Sequence, residues 1–150
     1  MMATVEPLPF PDVESPLRSK ISYMELFLLD RDPFVPVPRV VWLHLYCDGF
    51  SGWGRCEIPL MRKHLDLLQW ASVFLSWREH PLAECLDQAR VHGESWGAER
   101  RILAQSALLD LAERMAAPFR RRTSLMPEPR ADELIDRSES YCYYALKLRR

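Results

Sequence analysis

The hydrophobic period of this chain changes from two to helical at Pro59, and that change limits the folds open to it. Before it, apolar residues alternate at period two, the signature of half-buried strands; after it they recur at helical spacing. In the first part, Met24, Leu26 and Leu28 point one way, and Ile21, Tyr23, Glu25, Phe27 and Leu29 the other. Val41, Leu43, Leu45 and Cys47 form a second stripe opposed by Val40, Trp42, His44 and Tyr46. Asp48 to Gly52 carries turn chemistry, and Trp53 to Ile58 reads as a third strand. A turn centred near Phe50 and Ser51 sets Cys56 opposite the region of about His44 rather than Cys47.

Three helices are expected beyond Pro59. Leu65, Leu68, Ala71, Ser72 and Leu75 make the first inward stripe, widened by Trp70, Phe74 and Trp77. Pro81 suits the first turn of a short second helix burying Leu82, Cys85, Leu86 and Ala89. Gly93 and Gly97 bracket a break. A third helix, 98–116, then carries Ala104, Leu108, Leu111, Ala112 and Met115, and Pro118 ends it. Strands first and helices after them define an α+β fold, a three-stranded antiparallel meander packed on a three-helix layer. Residues 1–18, with four prolines, read as a flexible leader. Residues 19–119 form the domain. Residues 120–150 are a polar linker, with one helical turn near Leu134 and Ile135, and a β-like segment from Tyr141 to Leu148.

Charge and motif content exclude several functions. A net charge of −1 gives no electrostatic case for nucleic acid or an anionic membrane surface. No stretch reaches the ~20 apolar residues that span a bilayer, and no signal peptide opens the chain, so a cytoplasmic protein is expected. His44, His64, His80 and His92 lack metal-ligand spacing, and no phosphate loop or nucleophile elbow occurs. Cys47, Cys56, Cys85 and Cys142 match no zinc pattern and read as buried free thiols. Gly52-Trp53-Gly54 follows a hairpin turn and opens no helix. Its bland reading is packing, with Gly54 admitting a close neighbour and Trp53 filling the space between sheet and helices.

Gly52-Trp53-Gly54-Arg55-Cys56-Glu57-Ile58-Pro59, followed some fifty residues later by Ser106-Ala107-Leu108-Leu109-Asp110-Leu111, resembles the N-terminal capping domain of the enolase superfamily. The similarity is to the muconate-cycloisomerase and o-succinylbenzoate-synthase-like branch, and it covers about residues 21–119. Arg55 stands where that family usually has Glu.

The resemblance implies a cap that closes over the mouth of a (β/α) barrel with two segments, here 30–38 and 57–63. Phe34, Val35 and Val37 on the first, and Arg55, Glu57, Ile58, Leu60 and Met61 at the second, are the implied ligand- or partner-contact positions. Family chemistry resides in the barrel, which would begin near Leu148. No catalytic residue, cofactor or metal ligand is therefore expected in this chain, and Mg²⁺ only if a barrel partner exists. The aromatic face of Tyr23, Phe27, Trp42 and Tyr46 is a candidate interface.

Two functions follow from the resemblance. One is a non-catalytic module that binds a protein or small molecule, or a second copy of itself. The other is the cap of a split Mg²⁺-dependent racemase, epimerase, cycloisomerase or dehydratase of carboxylates, completed by a barrel protein in trans.

Overall fold

A computed structural model describes residues 17–30, 34–62, 64–117 and 128–147. Most of the expected leader, Pro118, the expected linker up to residue 127, and Leu148 lie outside the described residues. The fold is α+β. Strands β1 (Tyr23–Leu29), β2 (Arg39–Cys47) and β3 (Phe50–Ile58) form the meander, and β4 (Ser138–Ala145) adds antiparallel to β1. The sheet therefore has four strands, in the order β3-β2-β1-β4. The β-like tail becomes its fourth member because β1 would otherwise leave a long edge unpaired.

The hairpin between β2 and β3 turns on two residues, Asp48 and Gly49, both with positive φ (50° and 87°). That is the left-handed backbone a tight hairpin favours. β3 thus starts three residues earlier than the pattern suggested. Cys56 lies opposite Val41, and His44 opposite Trp53.

Among the described residues, all helices but one lie on one side of the sheet. A short helix α1 (Leu67–Trp70) runs on as a 3₁₀ helix through Ala71–Trp77. With three residues per turn, its buried line is Leu67, Trp70 and Ala71, Phe74 and Trp77. Leu68, expected in the core, is 59% exposed, because the aromatic side of this segment turns inward instead. Ser72 is also exposed.

Helix α2 (Leu82–Trp96) passes straight through Gly93, and the chain breaks only at Gly97. Gly93 is buried against the side chain of Arg101, which a Cβ there would approach to 2.8 Å and oblige to shift. Helix α3 (Ala98–Ala116) buries Leu103, Ala104, Ala107, Leu108, Leu111 and Met115. Arg100 near its start donates to the carbonyls of Trp96 (2.6 Å) and Trp70 (3.1 Å), so one side chain satisfies the ends of two neighbouring helices.

Helix α3 lies directly on β3. An added Cβ on Gly52 would sit 2.5 Å from Leu111 Cβ, and one on Gly54 2.5 Å from the Leu103 carbonyl oxygen. Trp53, between them, points to the opposite face, so it packs under the last helix rather than between the sheet and the three-helix layer. Its backbone N–H leaves the sheet edge and donates to Asp110 Oδ2 at 2.8 Å. The two sequence motifs are thus one contact.

Helix α4 (Ala131–Arg137) crosses the other sheet face. Leu134, read as part of a polar linker, is 4% exposed and packs with Phe27, Leu29 and Trp53.

Replacing Gly54 by Ala should force α3 off β3 and cost about 1–3 kcal/mol. Leu108→Ala should cost about 2–5 kcal/mol, whereas Leu68→Ala should change stability by less than about 0.5 kcal/mol. Urea unfolding of the three variants checks all of these values.

Candidate functional site

Two regions of the sheet hold the residues singled out by sequence. The first is the end at which β1 leaves, β2 begins and β3 finishes. Arg39 pairs in register with Ile58, which brings the β1–β2 loop beside the segment after β3. The Arg39 side chain is almost wholly buried. It donates to the Glu139 carboxylate at 3.0 Å and to the Arg62 carbonyl at 3.0 Å. The Pro59 carbonyl accepts from the Arg62 N–H, closing a turn that holds up Leu60 and Met61. In the loop, the Val35 carbonyl accepts from the Val37 N–H across Pro36 at 2.8 Å. Proline's fixed φ suits that three-residue turn.

The result is a group of apolar side chains held out from an anchored backbone. Phe34 and Met61 are each 91% exposed, and Val35, Val37 and Leu60 are about half exposed. Ile58 does not belong to this group. It is 1% exposed and inside the core, because period two turns it toward the helices. Arg55 and Glu57 share the opposite sheet face and meet at 3.5 Å in solvent, a contact worth little in either stability or specificity. Residues 31–33 and 63 lie outside the described residues.

The second region is the sheet face opposite α1–α3. Helix α4 covers one half of it. Phe27 is fully buried beneath Leu134, so it offers no interface, and Trp42 is partly covered beside it. On the other half, Tyr23 stacks on Tyr46 with ring centroids 4.9 Å apart and meets Tyr143 of β4 at 5.2 Å. Tyr23 also meets His44 edge-on at 5.9 Å, on the same sheet face.

Between the halves runs a hydrogen-bonded line that the sequence reading missed. Glu25 lies opposite His44 in the β1–β2 register, and its Oε1 is 2.7 Å from His44 Nδ1. His44 Nε2 is 2.8 Å from Ser51 Oγ. The Tyr141 hydroxyl donates to the second Glu25 oxygen at 2.5 Å. His44 is 6% exposed and stacks on Trp53 at 4.2 Å. The hydrogen bond from His44 holds the Glu25 carboxyl below the usual carboxylate range, against the opposing effect of burial. Burial, and then the Glu25 hydrogen bond, push the Tyr141 phenol up. The signal for this line was the register. A two-residue Asp48–Gly49 turn places Ser51 diagonally beside His44, whereas a turn centred two residues later does not.

The four cysteines are free and buried. Burial pushes Cys47 and Cys142 up to about 11, and Cys56 and Cys85 to about 12, so none is a thiolate at neutral pH. Among the described residues no three His, Cys, Asp or Glu side chains group to hold a metal ion. No described helix is long and apolar enough to cross a membrane. Comparison of the chain with protein-family models, curated proteins and solved structures gave no match.

Because the folded state depresses the Glu25 pKa, its contribution is complete above the unfolded value, about 4.3, and is lost as pH falls through the folded one. Glu25→Gln should therefore lower stability at pH 7 by about 1–3 kcal/mol. It should also flatten the loss that the parent protein suffers as pH falls below the ordinary carboxylate range. Urea titrations at stepped pH values measure both effects.

Proposed function

We propose that this protein is a partner-binding module of the enolase-superfamily capping type, and that its contact surface is the apolar end of the sheet. One observation carries the reading. Two segments separated in sequence expose Phe34, Val35, Val37, Leu60 and Met61 at the same end of the sheet, beside backbone tied by Arg39 and by the turn at Pro36. An exposed apolar group on rigid backbone loses little entropy on binding, which is what an interface anchor requires. In a capping domain these are the two segments that face the barrel. The reading is further supported by the order of elements, a meander and then helices, with the Gly-Trp-Gly strand against the Leu-Leu-Asp-Leu helix.

The partner need not be large, but it must be apolar where Phe34 and Met61 enter it. A (β/α)-barrel partner would make the protein the cap of a Mg²⁺-dependent enzyme acting on carboxylates. A second copy would make it a homodimer.

Tagged protein expressed at its native level and purified from its own cells tests the proposal. A stoichiometric companion, or a second copy detected by light scattering, is expected with the parent protein and with Tyr143→Ser. It should be lost from the Phe34→Ser, Met61→Ser double variant, each truncation costing about 1–3 kcal/mol of affinity. A companion that survives the double variant, or a parent protein that emerges alone and monomeric, overturns the assignment.

A further inference from the structure

The Glu25–His44–Ser51 line lies toward the hairpin end of the sheet, away from the apolar end, and the partner-binding role does not use it. We propose that Ser51 is an activated nucleophile for acyl transfer, with His44 as its general base and Glu25 as the residue that positions the imidazole. The substrate class is a small carboxylic ester bearing an anionic group, which Arg114 receives.

Geometry comes first. The Ser51 Oγ to His44 Nε2 distance of 2.8 Å and the His44 Nδ1 to Glu25 Oε1 distance of 2.7 Å both fall within the range that a nucleophile, base and orienting group require. A carboxylate accepts only, so Glu25 fixes the proton on Nδ1 and leaves the Nε2 lone pair for the Ser51 hydroxyl. The Tyr141 hydroxyl on the other Glu25 oxygen and the Trp53 ring stacked on His44 hold both groups in place.

An oxyanion donor is present in the backbone. The Tyr46 carbonyl accepts from the Ser22 N–H at 2.8 Å, so Tyr46 is turned toward β1. Its cross-strand partner Ser51 therefore directs its own N–H away from β2, off the edge of the sheet. That N–H meets no acceptor among the described residues. Trp53, two residues on, points the same way and reaches Asp110.

Ser51 also lines an open cleft of about 260 Å³ together with Gly49, Phe50, Arg114 and Glu128. Arg114 makes no hydrogen bond or ion pair among the described residues, so its guanidinium is available to an anionic ligand.

The step balances without a further reagent. Ser51 Oγ bonds to the ester carbonyl carbon while its proton passes to His44 Nε2, and the Ser51 N–H donates to the oxyanion. The ester C–O bond then breaks, and the leaving alcohol takes the proton from His44. Water then attacks the acyl carbon while its proton passes to His44 Nε2; the bond from that carbon to Ser51 Oγ breaks, Oγ takes the proton back from His44, and the carboxylic acid leaves.

A neutral fluorophosphonate probe with peptide mass mapping tests the nucleophile on the whole protein. One adduct is expected, on Ser51, absent in Ser51→Ala and formed about 100-fold more slowly in His44→Gln. Far-UV circular dichroism establishes that each variant is folded. In the parent protein the labelling rate should rise with deprotonation of a single group and then level off, a readout that needs no variant. Glu25→Gln should change that pH profile, and Arg114→Ala should cut turnover of p-nitrophenyl hydrogen succinate about tenfold relative to p-nitrophenyl acetate. A folded parent protein without an adduct at Ser51 overturns the proposal. So does an adduct formed equally fast in folded His44→Gln, or a rate that rises with hydroxide without levelling, because the line would then be structural. Neither result bears on the apolar end, whose variants leave this line intact.

Discussion

The close seating of helix α3 on strand β3 is the contact on which the rest of the architecture depends. Two alternate positions on the inner side of β3 lack side chains, so the helix backbone comes within a distance that a single Cβ would forbid. An edge strand approached this closely needs a partner for its outward backbone groups, and Asp110 supplies one for Trp53. With α3 so seated, α1 to α3 share one side of the sheet, and β4 adds at the far edge, past β1.

That seating also determines what the other face becomes. Period two sends Trp53 outward because Gly52 and Gly54 face inward, and Trp53 then forms the floor on which His44 and Leu134 rest. The small residues required by one layer thereby place a large aromatic ring in the other. A buried histidine is costly unless both nitrogens are satisfied, and Glu25 and Ser51 satisfy them. The line of hydrogen bonds is what the packing of the aromatic face demands, and it leaves a serine hydroxyl against an oriented imidazole.

The two ends of the sheet differ in kind. At the open end a buried guanidinium binds a backbone carbonyl and a carboxylate, converting loops into a platform for exposed apolar groups. At the hairpin end a tight turn brings β3 back in a fixed register, which allows polar side chains on three strands to meet. Rigid backbone underlies both, and loops of this composition would otherwise present the same residues at a larger entropic cost.

The sequence by itself determined the layers, because hydrophobic period depends only on local geometry. The inward stripes of Met24, Leu26 and Leu28, of Val41, Leu43 and Leu45, and of Leu108 and Leu111 all lie in the core. Gly54 in a strand implied a close neighbour, but only the fold shows that this neighbour is the Leu-Leu-Asp-Leu helix. Everything that rested on register or on contacts between distant segments was decided by the tertiary structure. Leu68 gave way to the aromatic side of a 3₁₀ segment, because its helix type, and hence its buried line, is set by packing rather than by composition. Leu134 turned from linker into cover because only the assembled sheet offers Phe27 and Trp53 for it to bury. Glu25, His44 and Ser51 are separated by up to 26 positions, and a shift of one residue in a hairpin sends a side chain to the other face. Their meeting is therefore a property of the folded sheet, invisible in any single strand.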